Sequence, residues 1–127
     1  MIFVQSRIDT YNTGILLHDL LSENEICEST DSFSFFFSKI KIKFPTTIKK
    51  LLNLGIGIHH SGLSRKEKIF TEKFFEAGKL KFLITTTTLA WGINLNPSHV
   101  IIKGTKTYSV QKGSWVEISG TNIVQML

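Results

Sequence analysis

Two β-prone runs, residues 80–85 (LKFLIT) and 100–103 (VIIK), do not alternate between an apolar and a polar face. A strand covered on one side alternates with period two. A strand without that alternation is covered on both sides, as in a parallel sheet flanked by helices. Helix-like patterns lie between these runs and others upstream, so the fold expected is an α/β sandwich with a mainly parallel sheet. The 127 residues fit one domain. At about this size roughly two thirds of the unfolded surface can be buried, so neither a disulfide nor a metal is needed for a core. Cys27 is the only cysteine, which rules out an internal disulfide and fits a reducing, intracellular location. The opening residues lack the pattern of a secretory leader. No apolar run approaches the ~18–20 residues that span a bilayer, so no membrane partner is expected.

Along the chain, residues 2–4 read as a short buried strand. A helix capped by Asp9 or Thr10 follows, through Leu21, with Tyr11, Ile15, Leu17, Leu20 and Leu21 at near-helical spacing. Gly14 inside it costs up to about 1 kcal/mol relative to Ala. A variable insertion occupies about residues 22–44, polar at first and then alternating, with Ile40, Ile42 and Phe44 separated by Lys41 and Lys43. That period predicts a strand or extended segment whose phenylalanines cover the core. An aromatic patch that stacks RNA bases between cations is the other reading. After Pro45, Thr46 or Thr47 caps a short helix with Ile48, Leu51 and Leu52, stopped by Gly55. Residues 56–59 form the next strand. Ser64 and Glu67 match a capping box, opening a helix that buries Ile69, Phe70, Phe74 and Ala77 and ends at Gly78. Residues 109–118 read as a hairpin, and 119–127 as the start of a helix. Trp91 and Trp115 are expected in the core.

The chemistry lies at the strand ends. The strand from Leu80 opens into Thr85-Thr86-Thr87-Thr88, then Leu89-Ala90-Trp91-Gly92. At the end of a parallel strand, hydroxyls and free amides face the crevice where α/β sheets bind ligands. Small residues there let a phosphate backbone approach, and hydroxyls bond to phosphate and sugar without reading a base. A threonine run that merely ends a strand is the plainer alternative. His59 and His60 are adjacent on a strand and so point to opposite faces, which argues against one shared ion. No metal site is expected. One histidine is expected to be buried and hydrogen-bonded, and the other to support the loop at Ser61-Gly62. The net charge of +5 suits a polyanion but equally describes an ordinary domain with solvated lysines. Lys66, Lys68 and Lys73 could follow phosphates, or form a solvated helix face.

The string LITTTTLAWGINL, at residues 83–95, resembles motif V of the large spliceosomal DExH-box RNA helicases, the Brr-type helicases of the U5 small nuclear ribonucleoprotein. Thr86, Thr88, Leu89, Ala90, Trp91, Gly92, Asn94 and Leu95 carry the match. Where that family continues with proline, alanine and histidine, this chain has Asn96, Pro97 and Ser98, with His99 one place later. Ile2-Phe3-Val4-Gln5-Ser6-Arg7 resembles motif IV. LGIGIHHSGL at 54–63 resembles the family's next block, and 103–118 its stretch before motif VI, which Gln125-Met126-Leu127 would begin. Four blocks in the family's order cover nearly all of residues 1–127 outside the insertion. The resemblance implies the second RecA-like domain, a three-layer sandwich that grips one RNA strand beside a first RecA-like domain, supplied in cis or in trans. It implies RNA contacts by Ser6, Arg7, Thr86 and Thr88, coupling of ATP to RNA at Gly92 and Asn94, and a supporting loop at His59, His60 and Gly62. It further implies spliceosomal partners and a nuclear location.

ATP and Mg²⁺ would serve the complete helicase. Phosphoryl transfer needs a phosphate cradle, a metal-holding acid and cationic stabilisation. The sequence has no G-x-x-x-x-G-K-[ST] string and no Asp-Glu-x-His, and its only arginines are Arg7 and Arg65. No catalytic residue is therefore assigned, no cofactor is expected on this chain alone, and the isolated chain is expected to be inactive. The alternative is a stand-alone, catalytically inactive RNA-binding or regulatory remnant of such a helicase. A sheet beginning at residue 2 and a helix ending at residue 127 are expected to leave apolar surface that a partner domain would cover.

Overall fold

The computed structural model describes residues 1–24, 39–87, 95–104, 106–117 and 120, with only the backbone of 106–108. Four parallel strands form the main sheet: β1 (Ile2–Val4), β2 (Ile56–His59), β3 (Phe82–Thr86) and β4 (Ile101–Ile102), in the order β2-β3-β1-β4. The register aligns Val4 with Thr86, His59 with Thr85 and Phe3 with Ile102. Three helices complete this unit among the described residues: α1 (Arg7–Glu23), α2 (Thr46–Asn53) and α3 (Arg65–Glu76). Strands β5 (Lys106–Ser109) and β6 (Ser114–Glu117) form a separate antiparallel hairpin.

Alternation along the strands separates two faces. Ile2, Val4, Ile56, Ile58 and Ile84 share one face, where Leu21 of α1 and Leu51 of α2 pack onto them. Each such side chain, fully buried, contributes about 1.5–3 kcal/mol. The other face presents Gly57, His59, Leu83 and Thr85, and α3 lies against it. A Cβ on Gly57 would sit 2.7 Å from Leu80 Cδ1 and 3.0 Å from Thr71 Cγ2, so any side chain there would require both of those side chains to give way. A second cluster of Phe44, Ile48, Leu52, Leu63, Phe70 and Leu80 joins α2 to α3 around β2, an edge strand. The three layers and the parallel sheet agree with the expected architecture.

Several local expectations are corrected. Ser6, not Asp9 or Thr10, caps α1: its hydroxyl accepts from the Asp9 N–H at 3.2 Å. Pro45 precedes α2 with no side-chain cap, so neither Thr46 nor Thr47 has that role. Gly14 is buried against Leu51, Ile58 and Ile84, where a Cβ would meet Leu51 Cδ1 at 2.8 Å and require that side chain to shift. In α3, Thr71 is buried where Ile69 is 38% exposed and Ala77 is exposed, because the apolar stripe is rotated toward Gly57. Ile101 is 56% exposed because β4 is the other edge of the sheet. Trp115 is 55% exposed on the hairpin rather than in the core. Residues 41–45 show the expected alternation but have no strand partner among the described residues. Helix α1 exposes Ile8, Ile15, Leu16 and Leu20, although Ile15 and Leu20 belong to its apolar periodicity. The expected Phe-rich part of the insertion and the final helix lie outside the described residues, apart from Gly120. No described helix is long and apolar enough to cross a membrane.

Candidate nucleic-acid interface

Because the sheet is parallel, all four strands end at the same edge. Strand β1 runs out into Gln5, Ser6 and Arg7, β2 into His60, Ser61 and Gly62, β3 into Thr87, and β4 into Lys103 and Gly104. Cross-links knit these ends together. Arg7 Nη2 donates to Ser61 Oγ at 2.8 Å. Gln5 Nε2 donates to the carbonyls of Lys103 and Gly104, at 3.2 and 2.6 Å. Lys103 Nζ donates to Thr13 Oγ1 of α1 at 3.1 Å. The edge thus offers two cations, hydroxyls and strand-end amides.

The loop after β2 is built by His60. The Gly62 N–H donates to His60 Nδ1 at 3.1 Å, so Nε2 carries the ring hydrogen and donates to the Tyr11 hydroxyl, also 3.1 Å away. Burial, and then the Arg7 charge and nearby His59, hold the His60 imidazole below its ordinary value, which keeps it neutral and Nδ1 free to accept. Burial, and then Glu67, push the Tyr11 phenol up, so it stays protonated. A Cβ on Gly62 would lie 3.0 Å from His60 Nδ1 and 3.2 Å from Arg7 Nη1. The loop passes between the imidazole and the guanidinium, and a side chain there would push them apart.

His59 and His60 are each 5% exposed and point to opposite faces, as expected. His59 Nε2 bonds to Glu72 Oε1 of α3 at 2.6 Å, while its Nδ1 is buried without a partner. His59 therefore fastens α3 to the sheet, and His60 shapes the loop that meets Arg7. The capping box is present in both directions: Ser64 N–H donates to Glu67 Oε2 at 2.7 Å, and Glu67 N–H donates to Ser64 Oγ at 3.3 Å.

Of the predicted site residues, Ser6, Arg7, His60, Gly62 and Thr86 gather at this edge, while His59 supports it from below. Thr86 is only 8% exposed and Thr85 is fully buried, its hydroxyl donating to the Thr86 carbonyl at 3.0 Å. Ser6 uses its hydroxyl as a helix cap. Thr88, Gly92 and Asn94 lie outside the described residues. The sequence reading missed Gln5, Tyr11, Glu72 and Lys103. Gln5 and Lys103 had one available signal, since each directly follows a strand.

The edge fits phosphate oxygens better than a complete Mg²⁺–ATP site. Its nearby acids are committed, Glu67 to the capping box and Glu72 to His59, and Asp9 lies in the first turn of α1. No hydrolytic step is derived from these residues. No group of three or more His, Cys, Asp or Glu suited to a metal occurs among the described residues.

Comparison with protein-family models matches residues 13–125 to the helicase conserved C-terminal domain. The chain is 38% identical over 130 residues to activating signal cointegrator 1 complex subunit 3 of Dictyostelium discoideum, covering 99% of this chain. It is 37% identical over 132 residues to the DExH-box ATP-dependent RNA helicase DExH12 of Arabidopsis thaliana, and 36% over 132 residues to the pre-mRNA-splicing factor brr2 of Schizosaccharomyces pombe, both covering 100% of the chain. The chain spans 6% of the length of each of these relatives.

Proposed function

The chain belongs to the helicase conserved C-terminal domain family, and on that premise we propose that it is the second RecA-like, RNA-gripping domain of an ATP-dependent DExH-box RNA helicase. The observation that carries this reading is the convergence of Arg7, Ser61, Gly62, Thr86 and Lys103 at the carboxyl edge of one parallel sheet. Cations and hydroxyls there bind a sugar–phosphate backbone without reading bases, which a motor that travels along any sequence requires. Arg7 supplies a fixed fork for a phosphate. His60, kept neutral, and the Gly62 amide hold the loop against it. Thr86 and Thr88 are assigned to the backbone of the same strand, and Gly92 and Asn94 to the junction with ATP.

In a complete helicase ATP and Mg²⁺ would sit between this domain and a first RecA-like domain, and supply the energy for unwinding. This chain's own residues bind and position RNA. It lacks the phosphate cradle, so the isolated chain is expected to hydrolyse no ATP. The pre-mRNA-splicing relative supports a role in splicing, and spliceosomal partners and a nuclear location are proposed along with that role.

The test is fluorescence anisotropy with labelled oligouridylate, comparing the chain with Arg7→Ala. Weakening by about tenfold, which is ~1.4 kcal/mol, is expected. Equal affinity, or no RNA binding by the unmodified chain, would overturn the reading.

A further inference from the structure

The net charge is not spread along the chain. Residues 39–66 contain seven Lys or Arg and no Asp or Glu, so this stretch carries +7 and the remaining residues together carry −2. Folding gathers that charge on one side. Ile40, Ile42 and Phe44 turn into the cluster with Ile48, Leu52 and Phe70, leaving Lys41 and Lys43 exposed between them. Helix α2 buries Ile48, Leu51 and Leu52 and exposes Lys49 and Lys50. Arg65 and Lys66 are exposed in the first turn of α3, whose Phe70 enters the same cluster. These six cations therefore surround one apolar cluster at the β2 edge. The two ion pairs described, His18–Asp19 and His59–Glu72, involve none of them.

Arg65 and Lys66 add positive charge in the first turn of α3, beside the Glu67 carboxylate of the capping box. They stand at the positive end of the α3 dipole, where cations are repelled and an anion is favoured. An external polyanion would relieve both that repulsion and the mutual repulsion of the lysines.

We propose that this face, formed by Lys41, Lys43, Lys49, Lys50, Arg65 and Lys66, is a second phosphate-binding surface that carries RNA beyond the strand-end track. The inference rests on the proposed RNA track, which this face would extend: the Ser61-Gly62 loop beside Arg7 leads within a few residues of sequence to Arg65 and Lys66. Lysines on flexible stems act as point charges, so the face adds affinity and salt dependence but no sequence preference.

The experiment compares the chain with Lys41→Gln/Lys43→Gln/Lys49→Gln/Lys50→Gln by anisotropy. Two labelled oligouridylates serve as probes, of about 8 and about 30 nucleotides, the shorter within the site size of a single-strand-binding module. Titrations run from about 50 to about 200 mM KCl. The short probe is expected to bind both proteins equally. The long probe is expected to bind the variant at least about tenfold more weakly, with a log Kd–log salt slope reduced by roughly 2 to 3, since each phosphate contact to a single strand contributes about 0.7. The double variant Lys49→Gln/Lys50→Gln should show about half that slope change, and serves if the fourfold variant fails to fold. An unchanged slope and affinity on the long probe would overturn the proposal. So would displacement of long RNA by polyglutamate at equal charge, which would assign the face to an acidic protein segment. Failure of the unmodified chain to bind the short probe would instead count against the strand-end track, and the slope on the long probe would still decide this face.

Discussion

Arg7 and Ser61 are joined by a 2.8 Å hydrogen bond although their strands are not neighbours in the sheet. Strand β3 lies between β1 and β2, so the arginine reaches across the interval that β3 occupies. This bond ties the segment after β1 to the loop after β2, directly at the end of the threonine strand. Arg7 is exposed and its partner is a neutral hydroxyl, so Arg7→Ala should change folding stability by less than about 1 kcal/mol while weakening RNA binding. Urea denaturation beside the anisotropy measurement separates the two effects.

Glu72→Ala tests the link between α3 and the sheet. His59 Nδ1 is already buried without a partner, and removing Glu72 would leave Nε2 in the same state. A loss of about 1–3 kcal/mol is expected by urea denaturation. Lys73→Ala, on the exposed side of the same helix, should stay within about 0.5 kcal/mol.

Gly57→Ala should destabilise the chain by about 1–3 kcal/mol, because its methyl group would press on Leu80, Thr71 and Leu83 between two packed layers. The paired substitution Gly57→Ala with Leu80→Ala should recover part of the loss if steric crowding is the cause. Chemical denaturation of the single and double variants gives the coupling.

The neutral His60 predicts a pH dependence of stability. Its folded value lies below the ordinary 6.5, so between those two values the unfolded chain binds a proton that the folded chain does not. Stability from this group is therefore complete above about pH 6.5 and is lost as the pH falls toward the folded value. His60→Asn removes the titration, so its melting temperature should fall less than that of the unmodified chain between pH 7 and pH 5.5, measured by circular dichroism.

Much of the architecture is legible in the residues, because parallel strands and capping boxes leave local signals. The strands at Ile2–Val4 and Ile56–His59 and the Ser64–Glu67 box follow from such patterns. The opposed histidines follow from strand geometry alone. What the sequence hides is whatever depends on strand order. The Arg7–Ser61 bond, the Gln5 bonds to Lys103 and Gly104, and the exposure of Ile101 all arise from which strands are neighbours and which are edges. The rotation of α3 toward Thr71 reflects the close approach at Gly57, which helical periodicity does not reveal. At Ser6 the resemblance to motif IV implies an RNA contact, while the hydroxyl itself serves as a helix cap.

The most direct test of the central claim is photo-crosslinking of the chain to 4-thiouridine-substituted RNA, with the attachment sites mapped by mass spectrometry. Crosslinks at Arg7, Ser61, Gly62, Thr86, Thr87 and Lys103 are expected, all at the carboxyl edge of the sheet. Crosslinks confined to the opposite edge, in the cavity lined by Lys81, Phe82, Pro97 and His99, would contradict the account.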